Sequence, residues 1–540
     1  MQRVLIVFIL LVILSLKSKT QEKNKIIQFN GSASITDNFY SSHGIDPRQP
    51  SNILMTILRA NITLFGQIEL PFELYLSNQR IKFQQPFNQF GISPKISNWL
   101  TLHAGYFSTQ FSELSYGDLR MLGGGIELTP GKFRFKAIYG RSQIAIKPNR
   151  EILMPGVFRQ TAYGTSIGYG DETKTFFNIN IFHAIDDTTS LKQDSLLINP
   201  AENIVGTINF GIKIVSQFSI KGEFAMSAFS SNIYSQKIEE INLPSFLYTP
   251  NISSRIDGAA KINFYIVPSN FWSITLSSQW VGPGYTTLGF ALMPNDFMEF
   301  ALAPNFKLLK NKLNIKTKAG IRYNNIRKNR LSTTSRFTGS LSVNWQINKN
   351  TGLDINYSNN QIQSGHKNDT LKLSNIFNSI NISPRYTFKG MGGTNNINLT
   401  YTYQDVADKN VYTSLTNNNK SNTLSINHCI FFKSSWSFTT TILYTNISTG
   451  NIKIRVFHLS ETISKNFANN KLTTSLNIGT NFVTTTEKNR QLVFRLITIY
   501  SLGKLGTINF NISNNNFNGT SEYIKSYNEI YGSLQYNINF

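Results

Sequence analysis

The chain has 540 residues, of which 15% are charged and 13% aromatic, with 40 Phe and 23 Tyr. An ordinary water-soluble domain carries about 25% charge, so this composition suits a protein that meets lipid over part of its surface. The charge present is basic, Lys+Arg 52 against Asp+Glu 29 for a formal net charge of +23, which points to anionic neighbours such as lipopolysaccharide phosphates or anionic solutes. The basic residues are scattered and no recognition helix or binding motif accompanies them, so nucleic acid is not an expected partner.

Residues 1–16 carry an early Arg3 and then an apolar run from Val4 to Leu14, followed by polar Lys17-Ser-Lys-Thr-Gln-Glu. The run is too short to span a bilayer comfortably and reads as a secretory signal peptide over 1–20, with Ser18 and Thr20 small enough to precede a cut near Gln21. No cysteine follows it, so a lipoprotein is not expected. After it, nothing approaches the roughly eighteen consecutive apolar residues of a membrane helix. If the protein spans a membrane, only a closed barrel remains.

Beyond residue 25, period-two alternation recurs. Phe133, Phe135, Ala137 and Tyr139 alternate with Arg134, Lys136 and Ile138; Ile208, Phe210, Ile212 and Ile214 alternate with Thr207, Asn209, Gly211 and Lys213; Phe224 and Met226 alternate with Glu223 and Ala225. The pattern continues through Ile397/Leu399/Tyr401/Tyr403, Leu472/Thr474/Leu476/Ile478 and Ile508/Phe510/Ile512, and ends with Leu534, Tyr536, Ile538 and Phe540 against Ser533, Gln535, Asn537 and Asn539. Alternation of this kind marks strands with one apolar and one polar face. Segments of this length, tilted, cross the hydrocarbon layer, and an aromatic carboxyl-terminal residue suits the closing strand of an outer-membrane barrel.

The connections fall into two alternating kinds. Tight ones include 129–132, 170–172, 215–217, 268–270, 310–312, 348–350, 433–434, 468–470 and 503–504, rich in turn formers. Longer polar ones include 78–90, 110–121, 143–160, 186–202, 229–253, 360–374, 406–420 and 514–525, and the compact Ser448-Thr-Gly450 shares their rim by parity. Short periplasmic turns and longer extracellular loops are the outer-membrane arrangement, and parity counting gives about 26 strands, within about 24–28. The expected fold is therefore all-β: a single large antiparallel transmembrane β-barrel over 21–540, in the cell outer membrane. The few residues between the signal and the first strand leave no room for the plug domain of a TonB-dependent transporter.

Chemistry-bearing constellations are sparse. The six histidines, at 43, 103, 183, 366, 428 and 458, never fall in a ligand spacing, so neither metal nor cofactor is expected. His183 with Asp186 and Asp187 sits where a strand exits to a loop and reads as a polar rim; GxSxG is absent, and enzyme activity is not expected. The single cysteine, Cys429, lies in an alternating strand and reads as structural. Gly123-Gly-Gly125 opens a strand and reads as a bend or bulge rather than a phosphate loop. Trp99, Trp345 and Trp436 at strand ends fit an interfacial girdle. Arg134 and Lys136 face the lumen if their aromatic neighbours face lipid, and with Arg80, Lys82, Arg120, Arg141, Lys147 and Arg150 they form the expected anion-attracting surface.

The segment 92–106, followed by 122–135 and Tyr139-Gly-Arg141, resembles the N-terminal third of large, poorly characterised outer-membrane barrels of Bacteroidota, and Ala201-Glu-Asn-Ile-Val205 is similar to a further piece of that pattern. The resemblance implies fold and location and carries over no functional residue. Two functions follow as expectations: a porin-like channel whose basic lumen favours anions, or a structural barrel of a secretion or envelope-assembly complex with its lumen filled by loops. The partners expected are outer-membrane lipid and lipopolysaccharide, the barrel-assembly machinery during biogenesis, and, under the second reading, an envelope complex.

Overall fold

The computed structural model describes residues 26–78, 89–117, 119–151, 153–191, 198–240, 244, 246–365, 369–410, 412–520 and 525–540. The signal segment, Arg80 and Lys82 lie outside the described residues. Strands run from Ile27–His43 to Tyr527–Asn539, and each pairs antiparallel with its neighbour in the chain. Two short pieces, Gln89–Ile92 and Lys95–Ile96, both lie between Ile68–Ser77 and Leu100–Phe107 and together fill one strand position. Tyr527–Asn539 pairs with Ile27–His43, so 26 strand positions close into one antiparallel barrel.

The closing seam joins the two ends of the described chain. Its register runs from Ser32 opposite Asn539 to His43 opposite Asn528. Beyond the ladder, Gly31 and Phe540 exchange both backbone hydrogen bonds, at 2.8 and 3.0 Å, and the Phe540 ring stacks on Phe29 at 4.9 Å. The C-terminal aromatic thus fastens the edge that an open sheet would leave unpaired.

The two faces of the wall are chemically distinct. Ile167, Tyr169, Phe177, Ile179, Ile181, Ile208, Phe224 and Met226 stand exposed on one face, which is the apolar belt a bilayer covers. On the opposite face Ile138, Ala162, Phe182, Val205 and Ala259 are buried, because two connections fold back over them. That face is the lumen. The short turns and both ends of the described chain share one rim, which is the periplasmic one. A closed wall with an outward apolar belt is the structure of an outer-membrane barrel.

Adjacent residues test the assignment of faces. Ile478 is lipid-facing, while its neighbour Asn477 turns inward and bonds Thr462 at 2.8 Å. Ile478→Arg is expected to destabilise the barrel by about 2–4 kcal/mol, and Asn477→Arg by much less, as read from denaturant unfolding in lipid vesicles.

Candidate functional site

Inside the barrel, the connections 108–120 and 282–296 lie against the wall and against each other. Phe111 and Tyr116 pack on Met121, Ile138, Ala162, Phe182 and Ala184, while Leu114 and Tyr285 pack on Val205, Ala225, Ala259, Val281 and Phe297. An isolated parallel bridge, Tyr116 to Gly289, joins the two segments. Gly289 permits this approach, since a Cβ there would stand 2.1 Å from the Ser115 carbonyl oxygen.

Backbone folded into a lumen needs partners for its polar groups, and single wall side chains supply them. Glu223 accepts the backbone N–H of Leu114 at 2.8 Å and of Glu113 at 3.1 Å. Asn203 accepts Leu288 N–H at 3.0 Å and donates to the Thr286 carbonyl at 3.1 Å. Asp257 accepts Gly284 N–H at 2.8 Å. Between the segments, the Tyr285 hydroxyl donates to the Leu114 carbonyl and Thr287 Oγ1 to the Ser115 carbonyl, each at 2.6 Å. Burial, with Glu223 nearby, pushes the Tyr285 phenol well above its ordinary value, so the hydroxyl stays protonated and keeps donating.

The residues expected to attract anions are dispersed by this arrangement. Arg120 lies at the lumen end of its connection, with Nη2 2.6 Å from Glu73, which also takes Arg59 at 2.8 Å. Arg134 and Lys136 do face the lumen and line a cavity of about 420 Å³ with Lys221 and Lys261. Most of that charge is already matched: Arg134 bonds the Gly170 carbonyl and Asn178 and lies 3.5 Å from Glu172, Lys136 lies 3.7 Å from Glu127, and Lys261 pairs with Glu113. Arg141 has the outward parity of Tyr139, and Lys147 and Arg150 belong to the connection 144–158, which is closed by the bridges Ile146–Val157 and Asn149–Met154.

A second basic group stands further along the wall. On the lumen face of Leu313–Asn324, Lys316 and Lys318 stand at alternate positions, and Arg322 follows beyond Gly320. Lys307 lies on the preceding strand, and Arg336 stands directly opposite Arg322 on the next. Like charges face to face are unfavourable; here Glu299 takes Arg322 at 2.6 Å and Asn360 takes Arg336 at 2.9 Å. Among the described residues, Lys307, Lys316 and Lys318 form no ion pair. The signal for this group is in the sequence, where Ile315, Thr317, Ala319 and Ile321 alternate with the cations.

The C-terminal part of the wall is amide- and hydroxyl-lined. His458 bonds Ser460 at 3.0 Å and Asn481 at 2.6 Å, Asn481 donates to Gln491 at 2.8 Å, and Gln491 donates to Asn515 at 2.7 Å, a chain across four strands. Cys429 belongs to the same lining and takes the Thr439 hydroxyl at 3.1 Å. His183 turns away from Asp186 and Asp187: it faces outward, pairs with Glu202 at 3.0 Å and stacks on Tyr163 at 4.6 Å, beneath the connection 231–253. Asp186 instead bonds Gln160 and Ala201 N–H, and Asp187 pairs with Arg159.

No family model and no curated protein matches this chain. Among solved structures, it is similar to a chain of the E. coli P pilus tip assembly intermediate PapC-PapD-PapK-PapG, with a TM-score of 0.47 and 9% identity over 96% of this chain and 62% of that one. The chain thus spans less than two thirds of that relative's length. It is similar to the P pilus usher (PapC) translocation pore, with a TM-score of 0.39 and 10% identity over 95% of this chain and 100% of that one. For the outer membrane protein OpdK from Pseudomonas aeruginosa, the TM-score is 0.32 and the identity 9%, over 70% of this chain and 99% of that one. These are likenesses of fold.

The bond from Glu223 to the inward segment can be tested directly. Glu223→Ala leaves the Glu113 and Leu114 N–H groups without their acceptor, a loss of about 1–3 kcal/mol. Amide exchange of 108–117 is expected to accelerate roughly tenfold or more, with the protection of the barrel strands unchanged, as followed by hydrogen–deuterium exchange.

Proposed function

We propose that this protein is an outer-membrane channel that favours small anionic solutes. The observation that supports the reading is the column Lys316, Lys318 and Arg322 on one lumen-facing strand, flanked by Lys307 and Arg336 and met by the carboxylate of Glu299. Residues two apart on a strand lie about 7 Å from each other. An anion leaving Lys316 is therefore within reach of Lys318, Arg322 follows about 13 Å further along the strand, and several weak sites in series let it leave as readily as it enters. The surrounding wall concentrates their field by keeping it out of bulk water. The two inward segments narrow the lumen along one side, and the C-terminal wall is mostly Asn, Gln, Ser and Thr, with Arg495 among them bonded to Asn511.

The same inward segments also support a second reading, a barrel closed by its own loops that serves a secretion or envelope-assembly complex. Electrical recording separates the two. The mature chain, refolded and inserted in planar bilayers under a salt gradient, is expected to give steady steps with an anion-selective reversal potential. Lys316→Glu with Lys318→Glu is expected to move that potential toward cation selectivity, while Lys147→Glu on the outer connection leaves it nearly unchanged. Silence from an inserted, heat-modifiable barrel supports the closed-lumen reading and overturns the channel.

A further inference from the structure

We infer that the periplasmic rim is a binding surface for anionic phospholipids of the inner leaflet, concentrated on the arc of turns between residues 309 and 506. Three observations meet on this rim, the charge on that arc and the apolar and aromatic residues both on it and beyond it. The first is charge: the turns of this arc carry Lys310, Lys312, Lys349, Lys433, Lys471 and Lys504 and no Asp or Glu. All six are exposed, and none forms an ion pair among the described residues. On the long-loop rim several cations meet carboxylates, as in Arg48–Glu529, Arg327–Asp257 and Arg330–Asp296.

The second observation is apolar residues where turn chemistry does not call for them. Phe65, Leu309 and Met391 occupy turn positions with φ of 53, 52 and 53°. Gly and Asn adopt this left-handed conformation at least cost, so these large side chains are there against local preference. Nor does packing within the chain explain them, since they are 68%, 60% and 73% exposed.

The third is aromatic. Four of the five tryptophans, Trp99, Trp272, Trp345 and Trp436, stand at this rim. Lys465 shares the lipid-facing side with Trp436 and Phe467, with its ammonium 4.4 and 5.0 Å from their rings. A lysine so placed reaches along aromatic surface toward headgroups. Ammonium groups beside apolar tips, repeated from turn to turn around a membrane perimeter, match a phosphate above an acyl chain. An acidic protein would ask for one continuous face instead.

The experiment uses the full chain in phosphatidylcholine vesicles containing a minor brominated lipid, either phosphatidylglycerol or phosphatidylcholine. Bromine quenches nearby tryptophan, and the tryptophans lie mostly at this rim. Brominated phosphatidylglycerol is expected to reach half-quenching at about fivefold lower mole fraction than brominated phosphatidylcholine. Replacing the six lysines with Gln is expected to abolish the difference, and Lys237→Gln with Lys328→Gln on the other rim to leave it intact. Should the six-lysine variant fail to insert, rising salt applied to the unaltered chain is expected to shrink the preference. Equal quenching by the two lipids in the unaltered chain overturns the inference, as does a preference that survives both the substitutions and high salt.

Discussion

Everything in this structure depends on one constraint: within lipid no water is available to satisfy a backbone N–H or C=O. A sheet of any size meets that constraint only if its first and last strands find each other. Here they do so from Ser32 opposite Asn539 to His43 opposite Asn528, extended by the reciprocal bonds of Gly31 and Phe540. Closure fixes the rest. It requires that alternate residues face lipid and lumen, and strict up-and-down pairing places both ends of the sheet on one rim.

Size then creates a second demand. A barrel of 26 strands is wider than its own inward side chains can fill. The chain answers by building its buried core inside the lumen, from Phe111, Leu114, Tyr116 and Tyr285 laid against one side of the wall. Irregular backbone at membrane depth is tolerated only where protein or water satisfies it, which explains why Glu223, Asn203 and Asp257 bind main-chain groups rather than one another. The Ser, Thr and Asn lining of the C-terminal wall is bonded from strand to strand and needs no covering segment.

Strand positions and turns are legible in the sequence because each is a local statement. The alternation of Ile208 to Ile214 needs only its own residues, and the alternation of short and long connections gives the parity and a count near the observed 26. The inward folding of 108–120 and 282–296 is not legible, because its cause lies on remote strands: nothing near Leu114 announces Glu223. The strand at 89–96 does alternate, with Phe90, Ile92 and Ile96 against Gln89, Gly91 and Lys95, but its interruption at Ser93-Pro94 shows only in the pairing of its two pieces. The loop-centred grouping around Arg134 and Lys136 follows the density of basic residues along the chain, whereas carboxylates from a nearby turn and strand, Glu172 and Glu127, decide how much of that charge is free. The column at Lys316 is visible in the sequence as a period-two pattern, yet that Lys316 and Lys318 form no ion pair among the described residues while Arg322 is met by Glu299 is a property of the folded wall.

The central claim is that this column lines the lumen of a closed barrel. Cysteines placed one at a time from residue 315 to 322, in a Cys429→Ser background reconstituted in vesicles, can be probed with a charged water-soluble thiol reagent. The account predicts reaction at 316, 318 and 322 and protection at 315, 317 and 321. Reaction at every position, or the opposite phase, would contradict it.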